Sequence, residues 1–368
     1  MGVPDGCICR FWIACSGAAG EYSNNVIVRQ MLPTLRARPG PTFFLIMSEY
    51  EIDPGKVAQL QITADHHDQR VDNFLITLLK GAPRTLVYRI IRKGEVRVNK
   101  KRVKADSRLK TGDIIRIPPV RLAEKGETPD VSPKLKEILE AAVLYEDEGL
   151  LAINKPHGLA VHGGSGVSLG MIEALRKMRP QHSFLELVHR LDRDTSGVIL
   201  VAKKRAVLTA LQRMLANKNG IRKRYLALVH GHWSASIKEV KEPLLRQERQ
   251  SGERIVVVSD EGKPSHTRTK LLVTGPHYSL IEAEPVTGRT HQIRVHCLFH
   301  GHTIAGDEKY SDKVEKDIDK RQGVRRLFLH AWHLAFRHPG SGEQLELTAL
   351  PDSEFTDMLD KAGCHVTF

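Results

Sequence analysis

Short apolar runs typical of β-strands follow one another closely from residue 142 towards the end of the chain, and this succession limits the possible fold most strongly. The runs are residues 142–145, 150–153, 185–188, 198–201, 225–229, 254–258, 267–273, 278–283 and 345–350. Helical patterns are fewer, chiefly residues 170–178, 206–215 and 292–299. Because strands and helices do not alternate strictly, we predict an α+β fold with a mixed, mostly antiparallel sheet and flanking helices.

A smaller module is predicted ahead of this region, between residues 66 and 121. Five apolar residues have the spacing of one helix face, namely Val71, Phe74, Leu75, Leu78 and Leu79. Residues 84–93 have the pattern of a second helix, which Gly94 ends. Strand-like residues follow at 96–98 and 113–117. The pattern predicts a compact helix-helix-hairpin module.

Positive charge is concentrated in this module. The chain has a formal net charge of +13, and between Arg70 and Arg116 there are 14 Lys or Arg residues against 4 Asp or Glu residues. Clustered cations gain free energy by displacing counterions from phosphates, which indicates a polyanionic partner, whereas a merely solvated face would mix both signs. The candidate RNA contacts in the module are Arg84, Arg89, Arg92, Lys93, Arg97, Lys100, Lys101 and Arg102.

The segments outside the two predicted domains differ from them in composition. Residues 1–56 contain few acids and no sustained periodicity, and we expect an unstructured extension. It is either an organelle-import leader or a translated stretch ahead of a true start at Met47, and the second interpretation is favoured. Residues 122–136 are polar and contain two prolines, which predicts a linker before a large domain at 137–356.

Cysteine usage and hydropathy bear on where the protein works. The spacing of the five cysteines does not indicate a disulfide framework, which favours a reducing compartment such as the cytoplasm. No run approaches the roughly 20 uncharged apolar residues that a membrane helix needs. We therefore expect a soluble cytoplasmic protein without a membrane partner.

The densest cluster of chemically versatile residues lies in a polar turn between two strand-like runs. Residues 189–197 read His-Arg-Leu-Asp-Arg-Asp-Thr-Ser-Gly and stand between apolar residues 187–188 and 198–201. Loops held by rigid strands commonly carry catalytic groups. Asp, Thr, Ser and Gly are also ordinary turn residues, so composition alone leaves both interpretations open.

Two further segments contain residues that suit a polar site. If a helix begins near Thr290, Arg294 lies about one turn further on and would face a carboxylate in the first segment, keeping it ionised where water is excluded. Basic residues 222–224 lead to Tyr225, whose ring suits a flipped nucleobase, although a tyrosine capping a sheet edge explains the residue equally well.

Together these segments resemble the ribosomal large-subunit pseudouridine synthases. Residues 188–203 resemble the nucleophile motif of that family, residues 223–227 its tyrosine motif and residues 286–296 its arginine motif. Residues 70–118 resemble the small RNA-binding module named after the fourth protein of the small ribosomal subunit. The resemblance extends from about residue 57 onward and implies the pseudouridine synthase fold.

The resemblance also implies a reaction and roles for particular residues. Asp192 would be the nucleophile, Tyr225 the ring against the target uracil and Arg294 the ion-pair partner of Asp192, while His189 and Arg190 would contact RNA. The implied reaction is site-specific isomerisation of flipped-out uridines to pseudouridine, at several sites of large-subunit (23S) ribosomal RNA or of an assembling subunit. It requires no cofactor and no metal, and we expect a monomer.

Three other interpretations were weighed. Residues 166–170 match the Gly-x-Ser-x-Gly pattern of serine hydrolases, but that elbow must follow a buried strand, and here a glycine-rich loop precedes it. A metal site is conceivable from four histidines, but they lack a completing carboxylate; they are His291, His296, His300 and His302. The third interpretation is an RNA-binding protein whose large domain is an inactive platform.

Overall fold

A computed structural model describes residues 55–79, 82–120, 129–163, 169–217, 220–249 and 252–367. The predicted extension lies almost wholly outside the described residues, as do residues 122–128 of the predicted linker and residues 166–168 of the Gly-x-Ser-x-Gly pattern.

The small domain contains two helices and a four-stranded antiparallel sheet. Its elements are β1 Ala58–Gln61, a 3-10 turn Ala64–His66, α1 Val71–Leu78, α2 Arg84–Arg92, β2 Arg97–Val98, β3 Lys101–Arg102 and β4 Ile114–Ile117. The strand order is β1-β4-β2-β3. This arrangement confirms the predicted helix-helix-hairpin module.

The apolar periodicity of the two helices explains how this domain folds. Phe74 and Leu75 of α1 pack in one buried cluster with Val87, Ile90 and Ile91 of α2. The arginines between these positions stay exposed, because the period of the helix turns them away from the core. One face of α2 is therefore apolar and buried, and the other is cationic and open to solvent.

The large domain is built on one extended sheet. Its elements in chain order are α3 Pro133–Ala141, β5 Val143–Glu146, β6 Leu150–Lys155, α4 Met171–Met178, β7 Glu186–Leu187, β8 Ser196–Ala202, α5 Arg205–Ala216, β9 Ile221–His230, β10 Glu239–Val240, β11 Leu244–Glu248, β12 Arg254–Val258, β13 Thr267–Thr274, β14 Tyr278–Pro285, α6 Gln292–Phe299, α7 Lys313–Gln322, β15 Leu329–Arg337, β16 Gln344–Thr348 and α8 Ser353–Lys361.

The order of strands confirms a mixed, mostly antiparallel sheet. The main path is β10-β13-β14-β9-β15-β8-β6-β5, with β16 paired to β15 and β7 paired to β8. Among these pairs only β15 and β8 run parallel, and β11 with β12 forms a separate hairpin. Among the described residues, no helix has the length and apolarity needed to cross a bilayer.

One sequence prediction about this domain was wrong, and one central strand was missed. The linker was predicted to reach Lys136, but α3 begins at Pro133, since Ser132 caps it by accepting a hydrogen bond from the Leu135 amide and proline suits the first helical turn. The central strand β15 was not predicted as a strand. It bulges between His330 and His333, which breaks the alternation that a strand pattern needs.

A close approach of two strands fixes the start of β8, where the polar turn ends. Ala331 of β15 pairs with Gly197 of β8. Gly197 has a φ of +110°, and a Cβ built on it would lie 2.2 Å from the carbonyl oxygen of Ala331. Only glycine fits this position, so the parallel strand can lie directly against the end of the polar turn.

Candidate active site

Asp192 lies in the turn between β7 and β8 that the sequence singled out. Val188 before it and Leu191 beside it are each only 5% exposed and anchor the turn in two different core clusters. The Asp192 side chain is 29% exposed. The turn therefore presents the Asp192 carboxylate partly to solvent, while the apolar neighbours of this residue hold the backbone in place.

A buried lysine fixes the backbone immediately after Asp192. Lys155, the last residue of β6, is fully buried, and its Nζ donates to the carbonyl oxygens of Pro156, Leu159 and Arg193, each at 2.9 Å. Burial lowers the pKa of Lys155 to about 7, although the three acceptors suit its charged form. Lys155 thus joins the end of β6 to the polar turn.

A buried polar network holds the other end of the turn. The Ser196 hydroxyl accepts a hydrogen bond from Arg326 Nη2 at 2.9 Å and lies 2.8 Å from His330 Nδ1. His330 Nε2 faces the carbonyl oxygen of Ala349 at 2.9 Å and must carry the proton, so Nδ1 accepts from Ser196. Burial lowers the pKa of His330 to about 4, which keeps the ring in this neutral form.

Arg294 of α6 faces Asp192, as the sequence predicted, but its strongest contacts are with Asp307. Its Nε and Nη2 donate to the two carboxylate oxygens of Asp307 at 2.7 and 2.6 Å. Its Nη1 lies 3.8 Å from Asp192 Oδ2. The Asp307 side chain is fully buried and also accepts from the amides of Lys309 and Tyr310. The guanidinium is thereby fixed with one nitrogen left to point at Asp192.

Two rings complete the surroundings of the Asp192 carboxylate. The Arg294 guanidinium lies over the Tyr310 ring, 4.9 Å from its centroid. His291 adopts the left-handed conformation just before α6, and its Nδ1 lies 2.7 Å from the Tyr310 hydroxyl. Its Nε2 lies 3.8 Å from Asp192 Oδ2. Burial and the charge of Arg294 lower the pKa of His291, so the neutral ring faces the carboxylate.

Tyr225 also lies near Asp192. It belongs to β9, is half-buried and packs against two core clusters. Burial, with the negative charge of Asp192 as a second cause, raises the pKa of the Tyr225 hydroxyl well above its ordinary value. The hydroxyl therefore remains protonated near neutral pH, and the ring presents an apolar surface beside the carboxylate.

Two further cations, Lys223 and Arg190, lie near this site. Lys223 lies two residues before Tyr225 on the same side of β9, and among the described residues it takes part in no ion pair. Burial lowers its pKa. Its charge, after burial, helps to lower the pKa of His189 to about 4. Arg190 is exposed at the rim of the turn.

The structure separates the predicted RNA contacts into two groups. His189 is half-buried, and its Nε2 accepts a hydrogen bond from the Leu200 amide, which ties the turn to β8. The cations of the small domain lie on α2, on the β2–β3 hairpin and in its turn, where Asn99 and Lys100 adopt positive φ. Arg84, Arg89, Arg92, Lys93, Arg97, Lys100, Lys101 and Arg102 are all exposed.

Sequence reasoning missed Asp307, Tyr310 and Lys155. A buried arginine needs a carboxylate, but nothing in the sequence indicates which of the acidic residues supplies it. In the described part of the chain, no group of three or more candidate ligands could hold a metal ion. His296, from the weighed histidine cluster, instead lies within hydrogen-bond distance of the Ser265 and Thr267 hydroxyls.

Comparison with known proteins identifies the family. The chain is 53% identical over 305 residues to the ribosomal large subunit pseudouridine synthase C of Pasteurella multocida, covering 82% of this chain and 93% of that protein. It is 54% identical over 304 residues to the protein of the same name from Escherichia coli K12, covering 82% and 95%. This chain belongs to the RNA pseudouridylate synthase family.

Domain and structure comparisons agree with this identification. The family model described as RNA pseudouridylate synthase matches residues 149–299, and an S4 domain model matches residues 69–115. The solved structure of human RNA pseudouridylate synthase domain containing 4 is 27% identical, with a TM-score of 0.52, covering 62% of this chain and 96% of that one. The pseudouridine synthase fold and the RNA pseudouridine synthase activity are thereby established for this enzyme.

Proposed function

We propose that this pseudouridine synthase isomerises uridines of large-subunit ribosomal RNA, with Asp192 as its nucleophile. The name shared by the similar bacterial proteins supports the choice of RNA. The single observation that carries the role of Asp192 is its position: a partly exposed carboxylate lies 3.8 Å from both Arg294 Nη1 and His291 Nε2. We expect a cytoplasmic monomer that acts on ribosomal RNA or on an assembling large subunit.

The reaction needs a nucleophile that bonds and then leaves again. The bond between uracil N1 and the ribose breaks, the base turns, and C5 joins the ribose in its place. The proton on C5 is lost to solvent and N1 gains one, so the reaction is balanced without an oxidant or a second substrate. A carboxylate suits this cycle because it can trap a fragment and depart afterwards.

The neighbours of Asp192 support distinct roles in this reaction. Arg294, fixed by Asp307, places a positive charge against the nucleophile without being free to swing away. The ring of Tyr225, whose hydroxyl stays protonated, offers a surface on which a flipped uracil can stack. Arg190, exposed two residues before Asp192, is suited to occupy the gap that the uridine leaves in the RNA.

Cations in both domains fit an RNA substrate. Lys223 carries no ion pair within the described residues and is suited to a phosphate near the flipped nucleotide. The exposed cations of the small domain would bind phosphates further along the RNA, which gives affinity and register more than base selectivity.

Release of tritium from large-subunit RNA labelled at uridine C5 tests the proposal, because forming the new bond expels that hydrogen. We expect Asp192→Asn to bind RNA normally and to lose turnover by more than about 1,000-fold. Asp194→Asn is the matched control, since Asp194 is 48% exposed and pairs with exposed Arg193. Retained turnover in a folded Asp192→Asn enzyme would rule out the nucleophile, and release from other RNAs at equal rates would rule out the substrate.

A further inference from the structure

A groove on the small domain has features that phosphate binding does not require. Its volume is about 390 Å³, and it lies between α2 and the segment that follows β3. Tyr88 of α2 lines the groove and is 44% exposed, so a large part of its side chain is open to a ligand. The sequence analysis did not select Tyr88, because a single exposed aromatic residue on a helix gives no signal by itself.

Tyr88 is held in its exposed position by a buried carboxylate. Its hydroxyl donates to Asp72 Oδ2 at 3.2 Å. Arg70 donates two hydrogen bonds to the same carboxylate, at 3.0 and 2.6 Å, and these lower the pKa of Asp72, whose side chain is 2% exposed. The ring therefore stands in one orientation before any ligand arrives, which lowers the entropy cost of binding.

The floor of the groove is apolar and rigid. Ile91 is 4% exposed, and Val103 and Ala105 are half-buried. The Asp72 amide donates to the carbonyl oxygen of Ala105 at 3.0 Å, which ties this segment to the start of α1. An apolar floor beside a fixed aromatic ring favours a flat, weakly polar group rather than a hydrated ion.

The rim of the groove is cationic and lacks counter-charges. Arg92, Arg102 and Lys104 are exposed and line it. Within the part of the chain that the structure describes, none of the three takes part in an ion pair. A ligand that carries negative charge next to a flat ring system would satisfy both the rim and the floor.

We propose that this groove binds an unpaired nucleotide of the RNA, with its base stacked on Tyr88 and its phosphates at Arg92, Arg102 and Lys104. This inference rests on the proposed function in that RNA is the substrate. A base in a duplex already has both faces covered, so the site selects single-stranded RNA. In addition to the phosphate contacts described above, the small domain would then recognise an unpaired nucleotide at a fixed position along the RNA backbone.

Fluorescence of 2-aminopurine tests the proposal, because stacking quenches it. The probe is a uridine-free oligoribonucleotide of about ten nucleotides, single-stranded or annealed to its complement, mixed with the full-length protein. We expect the wild type to quench the single strand, and Tyr88→Ala to bind it about 5- to 100-fold more weakly without quenching. Tyr88→Phe, which keeps the ring, should bind within a few fold of the wild type.

The salt dependence separates stacking from charge. Arg92→Ala should reduce the slope of affinity against salt, whereas Tyr88→Ala should leave that slope unchanged. A cooperative thermal unfolding transition shows that Tyr88→Ala is folded. The proposal is overturned if Tyr88→Ala binds the single strand like the wild type, or if it loses affinity for duplex and single strand equally. Turnover by the wild type tests the proposed function separately.

Discussion

Replacing Asp307 by asparagine tests how Arg294 is held. Asp307 is fully buried and makes two charged hydrogen bonds to Arg294, at 2.7 and 2.6 Å. Its Oδ1 also accepts from the amides of Lys309 and Tyr310. Asparagine can keep one acceptor, but its amide nitrogen would face the N–H of Arg294, so a donor would meet a donor.

The expected loss of stability is large because the buried guanidinium of Arg294 loses its ion pair with Asp307. Breaking a buried ion pair by removing one member costs about 3–5 kcal/mol, against a total stability of about 5–15 kcal/mol. In the variant, Asp192 is the remaining carboxylate near Arg294, currently 3.8 Å away. The guanidinium should turn towards it and form a direct hydrogen bond. That contact would compete with the nucleophilic attack proposed for Asp192, so turnover should fall with stability.

Denaturant titration and tritium release from labelled RNA measure the two effects. Asp307→Asn should lose about 3–5 kcal/mol of unfolding free energy. Turnover should also fall under conditions where the variant is folded. Glu308→Gln is the matched control, because Glu308 is 90% exposed and its surface pair with Lys316, at 3.4 Å, should contribute at most about 1 kcal/mol. If Asp307→Asn behaved like Glu308→Gln, the account of how Arg294 is fixed would be wrong.

Lys155 and Gly197 give two further predictions about the support of the polar turn. Since burial lowers the pKa of Lys155 from 10.5 to about 7, the unfolded chain binds more protons between these values, and wild-type stability gains as the pH rises through this window. The unfolding free energy of the wild type should therefore rise relative to that of Lys155→Met as the pH increases above 7. If the difference between the two unfolding free energies did not change with pH, the lowered pKa would be contradicted. Gly197→Ala places a Cβ 2.2 Å from a carbonyl oxygen, whereas Gly301→Ala, also at positive φ, meets open space. Gly301→Ala should cost about 1–2 kcal/mol and Gly197→Ala clearly more, with lower turnover; equal thermal midpoints would contradict the role of the close strand approach.

Elements marked by a continuous apolar run could be predicted from the sequence, even where they are buried on all sides, whereas a bulged strand and a mostly polar helix could not. Helix α6 was predicted with the bounds Gln292–Phe299 that the structure has. Strand β15 was missed because it lies in the middle of the sheet and bulges, so its sequence does not alternate. Helix α7 was missed because nearly all its residues are polar. It is attached to the domain through its buried Asp319, which accepts hydrogen bonds from the Tyr278 hydroxyl and the Gly306 amide, and an apolar stripe is not needed.

The proximity of residues in the candidate active site was predictable where these residues cluster along the chain. The polar turn around Asp192 and the approach of Arg294 followed from motifs, and the two side chains lie 3.8 Å apart. The carboxylate of Asp307 and the ring of Tyr310 come from a loop that carries no periodic pattern. Tertiary packing alone brings that loop under Arg294. Contacts of this kind depend on the whole fold, so local sequence reasoning does not reveal them.

Mapping of pseudouridines in cellular ribosomal RNA tests whether this protein modifies the large subunit and whether Asp192 is needed. Carbodiimide treatment followed by primer extension gives a stop at each pseudouridine, and RNA from cells lacking this protein should lose stops in the large subunit. Wild-type protein and Asp194→Asn should restore those stops, whereas Asp192→Asn, produced at the same level, should restore none. If no large-subunit stop disappears when the protein is absent, or if Asp192→Asn restores the stops, the account is contradicted.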